Sequence, residues 1–183
     1  MKYSIGIDPG VTQTGLVLRR GNEILAHQTY SVSRGECACM RVVSLADVIV
    51  GKIDDWIFQY DICVLDTAIE TPIYNSNPKG FELQWRLVQA IETGIIDVLD
   101  GFVGEIWITE VGPTASKKLS TGRGNANKPE IAAASPFEEE DFPNTNSFYT
   151  IADAWSHSLA AWEGCKDCNR IDVTNMVWVE VGE

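Results

Sequence analysis

Residues 3–20 read Y-S-I-G-I-D-P-G-V-T-Q-T-G-L-V-L-R-R. The stretch 3–9 is an apolar run of strand length that ends on an acid, Asp8, and then Pro9. Gly10 and Gly15 flank a short turn, and residues 15–20 form a second apolar run. Gly21-Asn22 then separates it from a third run, 23–31. Two extended runs divided by such a pair form a hairpin. The chain therefore opens as strand, tight turn, strand, tight turn, strand.

The rest of the chain alternates. Over 40–59, Val42, Val43, Leu45, Ala46, Ile49, Ile53, Trp56 and Ile57 share one helical face. Residues 62–69 are a buried strand that takes Cys63 into the core, and 71–81 are a loop rich in Pro, Asn and Gly. A second helix over 82–99 turns Leu83, Leu87, Val88, Ile91, Ile95 and Val98 inward, and 105–111 are a further strand. Residues 112–128 carry no period; 129–135 form a short helix with Pro129 in its first turn. An acidic loop, 136–147, leads to a last helix over 148–163, and 175–181 alternate like an edge strand. The pattern predicts an α/β fold: a mixed five-stranded sheet with helices on both faces and an extra C-terminal edge strand. The later strands run parallel to the first through right-handed crossovers. One domain spans 3–163, and 164–183 are an extension.

At 183 residues, 45% hydrophobic and 22% charged, the chain has the size and composition of one globular domain. No apolar run approaches the roughly 18–20 residues that cross a bilayer. The N-terminus lacks the apolar region and cleavage site of a signal peptide. A soluble cytoplasmic protein without membrane partners is expected. The net charge of −12 argues against nucleic acid, because phosphate contacts need Lys and Arg. Distribution outweighs the sum, however. Residues 111–129 hold Lys117, Lys118, Arg123 and Lys128 and no acid, so they form a positive island. Glu138, Glu139, Glu140 and Asp141 form the opposite.

Five cysteines make a disulfide framework an unlikely expectation. Cys37 and Cys39, with Cys165 and Cys168, supply four thiolates, enough for tetrahedral Zn2+ if the two pairs meet in space. Ordinary reduced thiols are the competing reading.

Three acids stand where a cation would be held. Asp8 ends an apolar strand, so it is desolvated on one side and open at its tip, which suits a divalent ion on a rigid support. A turn aspartate bonded to its own backbone is the equal alternative. Glu70 repeats the arrangement after V-L-D-T-A-I. Two acids at neighbouring strand ends repel unless an ion sits between them. Asp66, earlier on the same strand face, reads as a polar cap to the core. Asp153 lies among small and apolar residues in T-I-A-D-A-W-S-H-S-L, where a charge needs a partner. His157 follows it by one turn on the same face.

In this order the motifs resemble the RuvC family of Holliday-junction resolvases, within the RNase H-like nucleases. I-G-I-D-P-G…T-G is similar to the family's first motif, A-I-E to its second, K-K-L-S-T-G-R-G-N-A-N-K (117–128) to its basic DNA-facing segment, and I-A-D-A-W to its last. The likeness covers roughly residues 3–162. It implies an acidic site for two Mg2+ ions, with Mn2+ as a substitute, and a homodimer acting on branched DNA. By motif match Asp8, Glu70 and Asp153 are metal ligands. Thr150 stands where the family carries an acid or, in some members, a histidine. His157 is the favoured replacement; Asp141 reaching in from the acidic loop is a second, and a weakly held second metal is the third. The resemblance implies phosphodiester hydrolysis at metals about 3.5–4 Å apart. It matches Lys118 to a lysine that stabilises charge on the phosphate. Lys117, Lys118, Arg123 and Lys128 would contact DNA, and Tyr74, with Phe81 second, would stack on opened bases.

Two rival functions stay open: a catalytically weakened junction-binding protein, and an RNA nuclease resembling the YqgF relatives of this fold. A sugar-kinase reading of D-P-G-V-T-Q-T-G needs about twice this length.

Overall fold

The computed structural model describes residues 1–32, 35, 37–74, 77–98, 104–165 and 168–173. The opening motif becomes β1 (Lys2–Asp8), β2 (Gln13–Arg20) and β3 (Glu23–Ser31), joined by antiparallel pairing. Then follow α1 (Ala38–Gln59), β4 (Val64–Glu70), α2 (Pro78–Val98), β5 (Glu105–Val111), α3 (Pro113–Thr121), α4 (Lys128–Ala134), α5 (Thr145–Glu163) and β6 (Asn169–Asp172). The sheet order is β3-β2-β1-β4-β5-β6, with β4 parallel to both β1 and β5. The expected mixed sheet with helices on both faces is therefore present, with six strands among the described residues.

Strand periodicity divides the side chains between two layers. Tyr3, Ile5, Ile7, Leu16, Leu18, Leu65, Ile69, Ile106 and Ile108 pack with α1 and α2 in the main core. The alternate residues, among them Gly6, Val17 and Ala68, face α5. Asp8 and Glu70 share this second parity, so both come out on the α5 side. Helix α5 lies unusually close to the sheet. A Cβ on Gly6 would strike the Ala154 carbonyl oxygen and the Ser158 amide. On Gly15 it would meet the Thr150 carbonyl oxygen at 2.6 Å. The two glycines thus let the helix backbone rest on β1 and β2.

Three expectations need correction: the aperiodic reading of 112–128, the core place of Cys63 and the zinc site. The sixth strand is β6, antiparallel to β5; the expected edge strand over 175–181 lies outside the described residues. β6 is tied in by charge. Asp66, 1% exposed, accepts from Thr109 Oγ1 at 2.8 Å and pairs with Arg170 at 2.8 Å and Lys2 at 3.5 Å. Arg170 also lies 3.9 Å over the Trp107 ring. The aperiodic segment 112–128 is largely helical. Pro113 starts α3 and Gly122, with φ 76°, ends it. Only Ser116 of α3 is buried, so the helix writes no apolar stripe into the sequence. Cys63 precedes β4 and is exposed, not core.

The four-thiolate zinc site does not assemble. Cys165 and Cys168 are joined as a disulfide, which leaves neither as a thiolate ligand. Cys37 and Cys39 lie at the start of α1, with their sulfurs 3.0 Å apart. No cysteine joins any group of three or more metal-ligating side chains among the described residues. Nor is any described helix long and apolar enough to cross a membrane.

Candidate metal centre

Parallel pairing sets Ile7 beside Ile69, and the next residue on each strand is the acid. Asp8, Glu70 and His157 each offer a ligand atom, and these atoms all lie within 4.8 Å of one another. The close seat of α5 on Gly6 supplies the histidine: Ala154 and Ser158, which touch that glycine, flank His157. Thr150, two helical turns before His157, lies on the same sheet-facing side of α5, against Gly15. It is buried, with its Cγ2 2.8 Å from where a Cβ of Gly15 would stand, so it seats the helix.

His157 is 2% exposed, and neither ring nitrogen has a hydrogen-bond partner among the described residues. Burial, reinforced by the charge of Lys117, pushes its pKa down to about 3, so the ring is neutral with a lone pair to offer. Burial lifts the Asp8 carboxyl well above its usual range, and repulsion from Glu70 and Asp153 adds to it. Burial and then Asp153 raise Glu70 to about 7, against the pull of Lys117 and Lys128. Asp153 is also raised by burial, with Lys128 and Lys117 opposing. Acids that destabilise one another in a half-buried pocket are a site awaiting positive charge.

Part of that charge is built in. Lys128 Nζ lies 3.2 Å from Asp153 Oδ2. Burial favours its neutral form, but Asp153, Asp8 and Glu70 outweigh that and hold the ammonium above its ordinary pKa. Its position is fixed by the capping box at the start of α4, where Asn127 and Glu130 bond each other's backbone amides at 3.0 and 2.8 Å. Asp153 is therefore turned toward Lys128 and stands outside the three-residue group.

The other expected residues are spread more widely. Lys117, half-buried on α3, is the lysine whose charge reaches Glu70, Asp153 and His157; its neighbour Lys118 is exposed. Successive helical residues point about 100° apart, so one of the two lysines turns inward. The missing apolar period over 112–128 conceals that choice in the sequence; Pro113 and Gly122 are the signals that reveal the helix. Arg123 pairs with Glu130 at 2.8 Å on the surface. Asp141, in a 3-10 turn (Glu139–Asp141), is exposed, and its charge acts on His27 of β3. Tyr74 is 67% exposed and meets Phe81 edge-on, while Phe81 stacks on Trp85.

The residues fit a divalent cation. Two repelling carboxylates and a neutral, buried imidazole are a coherent donor set, and among the described residues no group satisfies that imidazole.

No family model matches the chain, and no curated protein matches it. Among solved structures it is similar to RuvC of Thermus thermophilus, at 19% identity and a TM-score of 0.62, over 92% of this chain and 99% of that one. It is also similar to T. thermophilus RuvC in complex with Holliday junction substrate, at 20% identity and a TM-score of 0.62, over 88% and 94%. At these identities the likeness is one of fold: the chain has the RuvC, RNase H-like architecture.

Proposed function

We propose that the protein is a divalent-metal-dependent endonuclease that hydrolyses phosphodiesters in four-way DNA junctions as a homodimer. The observation that carries this is the meeting of Asp8, Glu70 and the unbonded His157 at the strand ends, beside the cations of α3 and α4. The fold shared with a protein solved on Holliday junction substrate supports the choice of branched DNA.

Asp8, Glu70 and Asp153, with His157, would hold the metal. When bound, such a metal lowers the pKa of water and neutralises charge on the leaving oxygen. The chain's own residues do the rest. Asp8 and Glu70 fix the reacting centre on rigid strand ends, which limits misplacement of the phosphate. Lys117 and Lys128 attract the phosphodiester and balance the charge that grows on it. Lys128, 3.2 Å from Asp153, would share its charge with that phosphate. Lys118 and Arg123, being exposed, suit contacts to flanking phosphates. Tyr74, Phe81 and Trp85 form an aromatic row after Glu70, exposed at Tyr74 and Trp85, on which unpaired bases can stack. Thr150, in place of an acid, favours a second reading: a protein that binds junctions and cuts them weakly.

The test offers a four-way junction, a flap, duplex DNA and an RNA–DNA hybrid side by side, with divalent metal and with EDTA. Paired, symmetric, metal-dependent nicks in the junction are expected. Tight junction binding without cutting would replace this reading by the second, and cutting of the hybrid alone would move the substrate to RNA.

A further inference from the structure

We propose that a cavity at the ends of β4 and β5, outside the metal ligands, is a base pocket in which Glu110 reads an extruded guanine of the bound junction. The proposal rests on the junction-binding part of the proposed function and adds to it a subsite for one nucleobase.

The cavity begins one residue beyond Glu70, at Thr71, whose amide donates to the Val111 carbonyl at 2.8 Å and fixes that rim. Pro72, Ile73 and Pro113 give it apolar walls, and Glu110, Thr114 and Asn169 give it polar groups. Its volume is about 310 Å3, at the small end of the roughly 300–1,000 Å3 that ligand sites span, which suits a single flat base. Asn169 Nδ2 donates to Glu110 Oε2 at 3.0 Å; this orients the carboxylate and leaves Oε1 without a partner among the described residues. The surroundings are short of donors. Burial and then the charge of Glu110 lift the Glu92 carboxyl of α2 to about 7, and Glu92 Oε1 is itself buried without a partner among the described residues. Tyr74, 67% exposed, follows Ile73 directly, so a base leaving its stack meets an aromatic ring on the way in.

The chemistry of the bases then decides between them. The Watson–Crick edge of guanine carries two adjacent donors, N1–H and the 2-amino group, beside the acceptor O6. A carboxylate accepts two parallel N–H bonds at once, as it does from arginine. Adenine, cytosine and thymine each set an acceptor beside their donor, so a carboxylate meets a repelling lone pair. O6 finds its donor at the start of α3. Gly112 caps that helix without a side chain and Pro113 has no N–H, so the Thr114 amide is the first one offered. It makes no hydrogen bond among the described residues. A half-buried carboxylate left facing acceptors costs far more than a lost contact, so the pocket rejects the other three bases.

The test is equilibrium binding in EDTA, read by fluorescence anisotropy with the full chain. Labelled four-way junctions carry one unpaired base at the branch point: guanine, adenine, cytosine, thymine, hypoxanthine or 7-deazaguanine. Hypoxanthine keeps N1–H and O6 but lacks the 2-amino group; 7-deazaguanine leaves the whole Watson–Crick edge intact. The guanine and 7-deazaguanine junctions should bind alike, and on the order of tenfold more tightly than the other four. Glu110→Gln, which keeps the size of the side chain and replaces one acceptor by a donor, should erase that preference while the other junctions bind as before. The hypoxanthine comparison needs no variant, so a misfolded Glu110→Gln does not spoil the test. Equal binding of guanine and hypoxanthine junctions, or a preference that survives Glu110→Gln, would overturn the proposal and leave the junction reading standing. Guanine preference in a protein that cuts no junction would sustain the proposal while the nuclease reading falls. Failure to bind any junction would overturn both.

Discussion

Glu70→Gln should make the metal-free protein more stable while removing a ligand. The folded state holds Glu70 at about 7, chiefly through burial and then through Asp153, against an ordinary 4.5. A raised carboxyl contributes nothing below pH 4.5, where folded and unfolded chains are both protonated. As pH climbs from 4.5, the unfolded chain ionises first and the folded state loses ground. The loss is complete above pH 7. At about 1.4 kcal/mol per pH unit, the full penalty is about 3 kcal/mol. Glutamine keeps the shape and abolishes the charge. In EDTA at pH 8 it should therefore raise the melting temperature by about 5–10 °C for a chain of this length. At pH 5 the gain should shrink to less than about 1 kcal/mol. His157, held at about 3 by burial, works in the opposite direction and weakens the fold as pH falls below 6.5. It does so in both proteins and cancels in the comparison. Divalent ion should stabilise the native protein and leave the variant nearly unmoved. The assay is thermal unfolding by circular dichroism across pH 5–8, with and without metal. A variant no more stable than the native chain at pH 8, or a gain that ignores pH, would refute the electrostatic argument.

Two further outcomes test the scaffold. Gly6→Ala places a methyl against the backbone of α5 at Ala154 and Ser158, atoms that cannot swing aside. It should cost about 1–3 kcal/mol or more, and lower metal affinity by displacing His157 from Asp8, measured by denaturant melts and Mn2+ titration. Arg170→Met strips Asp66 of its 2.8 Å partner while the carboxylate stays 1% exposed. A loss of about 3–5 kcal/mol is expected from chemical denaturation; a loss under 1 kcal/mol would mean that Lys2 and Thr109 suffice.

The sequence carried the frame of this fold clearly, because β1 and β4 are apolar runs that end on acids. Parallel strands displayed that way must bring Asp8 and Glu70 together. What it hid has physical causes. Asn169–Asp172 is a strand held by hydrogen bonds and the Arg170–Asp66 pair, with no apolar alternation to betray it. Helix α3 buries a single serine, so its period was silent and Lys117 was indistinguishable from Lys118. His157 was legible as a helical neighbour of Asp153, one turn on. That it joins Asp8 and Glu70, while Asp153 turns to Lys128, depends on how deeply Gly6 and Gly15 let α5 settle. The cysteine pairs matched a zinc spacing, but spacing alone does not bring α1 to the end of α5.

Asp8→Asn puts the central claim to its most direct trial. With a four-way junction and divalent metal, cleavage products and the gel-shifted complex are quantified together for native and variant protein. The native chain should give paired symmetric nicks. The variant should bind the junction with comparable affinity and cut it at least about 100-fold more slowly, since it loses a ligand of the reacting centre. Undiminished cutting by Asp8→Asn would mean that the chemistry lies elsewhere than at these strand ends.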